Sequence, residues 1–195
     1  MDRNLLKVKT HLYEADAYEK VYQQIVWLLK RQLDSMIRPV VVLCIGSDRY
    51  TGDALGPLTG SYLEERNAFR VFGTMNYPVH AGNLVEVINR IENEYGNPVI
   101  IAVDACLGKQ AEVGNIEVWE GSIRAGSAVG NQLPPVGHIS VIGVVNSGSA
   151  SGYINLQTTP LSMVINISKI ISRALQAALQ QYPQEAIQAH TAKSS

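Results

Sequence analysis

Two uninterrupted apolar runs, residues 40–45 and 99–103, constrain the fold of this 195-residue chain more than any other feature. Each is shorter than an ordinary helix and rich in β-branched side chains, the pattern of a central parallel strand buried on both faces. Such strands need helices above and below them, and the intervening segments supply those helices.

Residues 15–33 repeat apolar side chains at helical spacing through Val21, Ile25, Leu28 and Leu29, and Pro39 closes the approach to the first strand. After that strand a helix is expected from Asp53 to about Glu65, with Asp53 placed to cap it and Pro57 tolerable only in its first turn. Residues 68–75 predict a second, less apolar strand nearer a sheet edge. A helix at 84–95 follows, with Leu84, Val87, Ile88 and Ile91 on one face and Gly96-Asn97-Pro98 as its stop. The third strand, 99–103, delivers Asp104 at its C-terminal end. Shorter strands at 116–120 and 139–145 flank a glycine-rich stretch, 121–137, and a last helix spans about 161–181.

The order β-α-β-α-β implies parallel strands joined by right-handed crossovers, hence an α/β domain of doubly wound type: three layers, a mostly parallel sheet with helices on both faces. A single domain is expected over residues 1–181, with a polar tail at 182–195. Sixteen basic and 17 acidic residues are spread rather than blocked, so neither nucleic acid nor an anionic membrane is expected as a partner. No apolar stretch reaches the ~18 residues of a membrane span, and residues 1–9 lead into no apolar signal core. The expected location is the cytoplasm, which suits two free cysteines, Cys44 and Cys106.

In the common doubly wound order the second and third strands lie on opposite sides of the first, and ligands bind at that switch point. The loop after strand one carries Asp53 and the end of strand three carries Asp104, so both carboxylates are expected in one crevice. Two carboxylates held close together either share a proton, as in a pair that activates water, or bind a cation. The competing roles are a helix cap for Asp53 and a strand-end residue bonded to loop amides for Asp104. Asp48 is a weaker third carboxylate that suits a turn bonded to its own backbone.

His80, before Gly82 in the loop after strand two, reaches the same edge as a proton carrier, a metal ligand or a surface histidine. A divalent metal held by Asp53, Asp104 and His80 is the alternative to a cofactor-free pair. Backbone amides near Gly46 or Gly126 are candidates to stabilise an oxyanion. His138 opens the strand at 139–145, away from the crevice, and takes a structural role. A Cys106 nucleophile with His80 as base lacks the basic helix start that would depress a thiol pKa. The stretch Asn146-Ser147-Gly148-Ser149-Ala150-Ser151-Gly152 is a loop at the active edge that could cover substrate, and the glycines at 126–131 lack the spacing of a nucleotide-binding loop.

The stretch Gly46-Ser47-Asp48-Arg49-Tyr50-Thr51-Gly52-Asp53-Ala54-Leu55-Gly56-Pro57 resembles the strand-one loop of the germination protease of spore-forming bacteria, including its Asp-Ala-Leu-Gly-Pro ending. Val99-Ile100-Ile101-Ala102-Val103-Asp104-Ala105 is similar to that protease's other aspartate-bearing strand. Ala125-Gly126-Ser127-Ala128-Val129-Gly130-Asn131 is similar to its glycine-rich segment, and the three matches fall in the same order. As a whole, over about residues 40–179, the chain looks most like the YyaC family, grouped with sporulation proteases. The wider group includes hydrogenase maturation endopeptidases, whose metal-binding carboxylates match Asp53 and Asp104. Their third ligand, a histidine, has no counterpart near residues 126–131. The resemblance implies a phosphorylase/hydrolase-like fold and an endopeptidase of sporulation or germination, working through Asp53 and Asp104. It implies protein substrates such as small acid-soluble spore proteins, and a cytoplasmic setting that includes the forespore or spore core. The alternative of another class is a protease-like protein that binds a sporulation partner without cleaving it.

Overall fold

The computed structural model describes residues 7–32, 38–65, 70–125, 133–148 and 152–193. The elements in chain order are β1 (Lys7–His11), α1 (Ala17–Gln32), β2 (Val40–Cys44), α2 (Leu55–Glu64), β3 (Arg70–Phe72), α3 (Leu84–Tyr95), β4 (Val99–Gly108), β5 (Asn115–Glu120), β6 (Ile139–Ser147), α4 (Gly152–Gln157) and α5 (Leu161–Lys193). Short 3₁₀ turns lie at Gly52–Ala54 and Gln110–Glu112.

The six strands form one sheet in the order β1-β5-β6-β4-β2-β3. Strands β3, β2, β4 and β6 run parallel, whereas β5 pairs antiparallel with β6 and β1 antiparallel with β5. The domain is therefore α/β with a mixed sheet, parallel on one side and antiparallel on the other. The antiparallel edge is not foreseen from the sequence because β1 reads Lys-Val-Lys-Thr-His, which is too short and too charged to announce a strand. Its lysines suit an edge position: Lys7 pairs with Glu117 at 2.6 Å and Lys9 with Glu112 at 2.7 Å.

Alternation along the central strands divides the core. Val42, Cys44, Ile101 and Val103 face α1, α2 and α5, packing with Val21, Ile25, Leu63, Ile167 and Ile171. Val41, Leu43, Ile100 and Ala102 face the other way, toward Leu84 and Ile91 of α3. Both of those α3 side chains are fully buried, and burial of that kind contributes about 1.5–3 kcal/mol each. Val87 and Ile88 pack beside them, partly exposed, as their helical spacing requires.

β3 comes out as an edge strand of three residues, within the predicted span 68–75; residues 66–69 lie outside the described set. Pro57 falls in the first turn of α2, where its missing N–H costs nothing. The last helix continues to Lys193, past the expected end near 181. Tyr182 is buried, and its hydroxyl donates to the Arg38 carbonyl at 3.2 Å, which ties this turn of the helix to the start of β2. No helix among the described residues is long and apolar enough to cross a membrane.

Candidate functional site

β2 lies between β3 and β4, so the switch point falls between β2 and β4. The two strands diverge there for a local reason. The last bond between them is from the Ile45 amide to the Val103 carbonyl, 2.7 Å, after which the chain turns at Gly46, whose φ is +144°. β4 does not turn. It continues to Gly108 because β6 pairs with it beyond that point, through Asp104↔Ile142, Ala105↔Gly143 and Cys106↔Val144. Asp104 therefore sits inside a long strand rather than at its end, and what opens beside it is the space that β2 has left. The register slips between Cys106 and Leu107, and an irregularity so close to a crevice is a common way of aiming a side chain.

Asp53 reaches the same space from the loop. The Ser47 amide donates to the Asp53 carbonyl at 3.2 Å, and a Cβ on Gly46 would overlap that carbonyl oxygen. Only glycine combines the positive φ with this close approach. Gly56 makes the matching contact at the start of α2, since a Cβ there would run into the Ile45 carbonyl. The loop thus lies flat on the end of β2 and carries Asp53 to the rim of Asp104. The N-cap positions are Thr51 for the Gly52–Ala54 turn and Ala54 for α2, so Asp53 does not take its predicted role as a helix cap.

The two carboxylates line a cavity of about 300 Å³ together with Ile45, Gly46, Ser47, Arg49, Tyr50, His80, Ala81, Tyr153 and Leu156. Asp104 is 8% exposed. Burial pushes its pKa well above the ordinary carboxylate value, the charge of Asp53 pushes it further, and the Ala105 amide, donating to Oδ1 at 2.8 Å, only partly offsets this. Burial also raises Asp53, to about 6, with the Ser47 amide and the nearby His80 pulling the other way. Burial thus favours the protonated form of both carboxylates, and the charge of Asp53 adds to this at Asp104.

His80 is exposed and lines the cavity; its Nδ1 accepts from the Gly82 amide at 3.1 Å, and its Nε2 has no hydrogen-bond partner among the described residues. No group of three or more His, Cys, Asp or Glu side chains among the described residues is arranged to hold a metal ion.

Gly46 lines the cavity, but its amide already donates to the Val79 carbonyl at 2.8 Å, so it has no N–H to offer an oxyanion. Gly126, the other amide candidate, lies outside the described residues. Asp48 is exposed on the turn and is absent from the cavity wall. Cys106 has its thiol pushed up to about 12, by burial first and then by Glu117 and Asp104, which removes it as a thiolate nucleophile at neutral pH. His138 is at the opposite end of the sheet: its Nδ1 accepts from the Ile100 amide at 3.1 Å and its Nε2 meets Arg38.

Tyr50, Arg49, Tyr153 and Leu156 are wall residues that sequence reasoning did not single out. Tyr153 and Leu156 belong to α4, a six-residue helix that begins where only a loop was expected. The Asn146 side chain donates to the Asn155 carbonyl at 2.8 Å, and the Asn155 side chain donates to the Ser147 carbonyl at 2.7 Å. These bonds fasten α4 over the end of β6, so that Tyr153 meets Tyr50 across the opening with ring centroids 5.6 Å apart.

Residues 11–174 match the model of a family described as protein of unknown function, DUF1256. The "Uncharacterized protein YyaC" of Bacillus subtilis (strain 168) is 39% identical over 172 residues, which is 87% of this chain and 83% of that relative. The chain belongs to this family.

Proposed function

We propose that this DUF1256 protein is an endopeptidase that hydrolyses a peptide bond in the cavity between β2 and β4. The observation that carries the reading is two carboxylates lining one cavity in unlike surroundings, Asp104 buried inside β4 and Asp53 on the loop after β2, with burial and the charge of Asp53 both favouring the protonated form of Asp104. Asp53 takes a proton from water as the water attacks the carbonyl carbon. Asp104 gives its proton to the departing amine nitrogen, and the proton gained by Asp53 restores the pair. Groups whose environments hold them in opposite states are suited to this division of labour.

Arg49 supplies the positive charge on the cavity wall and is placed to favour the oxyanion as it develops. Arg49→Gln is expected to lower kcat by about 10- to 100-fold with a smaller change in KM. A rise in KM with kcat unchanged would make Arg49 a binding residue instead. The proposed fold is phosphorylase/hydrolase-like, and the resemblance to the germination protease supplies the peptide bond and the first substrates to try, small acid-soluble spore proteins. A cytoplasmic, forespore or spore-core setting belongs to the same proposal.

The test is cleavage of small acid-soluble spore proteins, and of a spore-former extract, by the parent, Asp53→Asn and Asp104→Asn, each with and without a chelator. Specific cleavage by the parent alone, unchanged by the chelator, supports the pair. Equal cleavage by all three folded proteins contradicts the pair, and cleavage by none of them favours a binding protein that does not cleave.

The pH dependence follows from the same two groups. The base must be ionised, so kcat/KM is expected to fall about tenfold per pH unit below about 6, the value at which Asp53 titrates. Activity falls again at high pH as Asp104 loses its proton. A profile flat from about pH 4 to about pH 8 would show that Asp53 is not the base.

A further inference from the structure

We infer that the outer edge of β3 binds the substrate chain as an added strand, with an acidic side chain set against Arg70; the word substrate rests on the hydrolase reading above, and the binding does not. β3 ends the sheet, and no strand among the described residues pairs with its outer side. An open edge presents backbone donors and acceptors to any extended chain. The other edge of the sheet is guarded: the lysines of β1 are tied up by Glu117 and Glu112. β3 carries no comparable paired charge among the described residues.

A groove of about 740 Å³ runs beside β3, between the strand, the following loop and α3. Its wall is aromatic. Phe72 meets Tyr95 edge-on with centroids 6.2 Å apart, and Tyr77 in the loop is 78% exposed. Two arginines border it and differ in their freedom. Arg90 lies over the Phe72 ring at 5.4 Å and pairs with Glu94 at 3.6 Å. Arg70 lies over the Tyr95 ring at 5.3 Å, is exposed, and has no ion pair among the described residues. An exposed guanidinium without a carboxylate, at the start of an open strand, fits an acidic side chain on the incoming chain.

The groove leads to the candidate site. His80 lines both the groove and the cavity that holds Asp53 and Asp104. Val79 bridges Ile45 in parallel at the end of β2, so the wall of the groove continues to the turn at Gly46. A chain laid along β3 toward its C-terminal end arrives at the paired carboxylates.

The experiment uses the non-cleaving Asp53→Asn/Asp104→Asn protein to select from a library of random peptides of about 12 residues, long enough to cover a strand of ordinary length and its flanks, repeated with Arg70→Glu added. Enrichment of peptides with an acidic residue at a constant position is expected, exchanged for a basic residue in the Arg70→Glu protein. N-methylation of alternate amides in a selected peptide is expected to weaken binding by about tenfold or more and methylation of the intervening amides to leave it unchanged, the period-two signature of strand addition. No enrichment, or binding indifferent to both changes, overturns the inference. Cleavage by the parent of peptides that ignore Arg70 would overturn it while leaving the hydrolase reading intact. Selected peptides with the strand signature that the parent never cleaves would support the edge and remove the hydrolase.

Discussion

Asp104→Asn is expected to abolish cleavage and at the same time to raise the melting temperature at about pH 7 to 8. Asp104 is almost wholly buried, and both burial and the adjacent Asp53 raise its pKa. In the unfolded chain the same group titrates near the ordinary value. Between the unfolded and folded pKa values the native state holds a proton that the unfolded state has released, so the stability contributed at low pH is lost as pH rises toward the folded pKa. Asn has nearly the same shape, keeps an oxygen to accept from the Ala105 amide, and never ionises. The gain should be on the order of 1–3 kcal/mol, or about 2–12 °C for a domain of this size. It should be larger at about pH 8 than at about pH 4. Removing the acid should lower kcat by about 10²- to 10⁴-fold. A melting temperature that falls, with the difference insensitive to pH, would mean that Asp104 is a structural charge with a favourable partner.

Gly46→Ala is expected to be the most damaging single methyl group in the site. Its φ of +144° is strained for any side chain, at a cost of order 1–3 kcal/mol, and the new Cβ overlaps the Asp53 carbonyl and touches the Pro57 ring at 3.0 Å. Relief requires the loop to lift from the end of β2. That breaks the bonds from Ser47 to Asp53 and from Gly46 to Val79 and carries Asp53 away from Asp104. A loss of about 3 kcal/mol or more, with cleavage reduced as far as in the aspartate variants, is expected from thermal unfolding and the cleavage assay. Retention of both stability and activity would show that the loop does not need this close contact.

The central strands and the α3 face could be read from the sequence because burial on two faces leaves an unbroken apolar run, and burial of one helix face leaves a 3.6-residue period. The placement of β2 between β3 and β4 followed from the common doubly wound strand order, and the lower apolarity of β3 from its edge position. The antiparallel edge was hidden because β1 is short and its lysines face solvent. The position of Asp104 within β4 was hidden as well: residues 105–108 are partnered by β6, and pairing leaves no mark on composition. α4 has only six residues and is held by the side chains of Asn146 and Asn155 and by one buried leucine, Leu156, so Tyr153 had no periodic signal strong enough to bring it to the site. The spent amide of Gly46 is a tertiary fact, set by Val79 from a distant loop.

The most direct measurement is the carboxyl-carbon NMR titration of Asp53 and Asp104 in the folded protein, with each signal assigned by the two Asn variants. The pair is expected to release one proton with an apparent pKa near about 6 and the other far above the carboxylate range, and Asp104 is expected to move down when Asp53 is replaced by Asn. Two independent titrations near about 4, the ordinary carboxylate value, would contradict the proposed mechanism, because a pair that is fully ionised at neutral pH has no acid to give to a leaving amine.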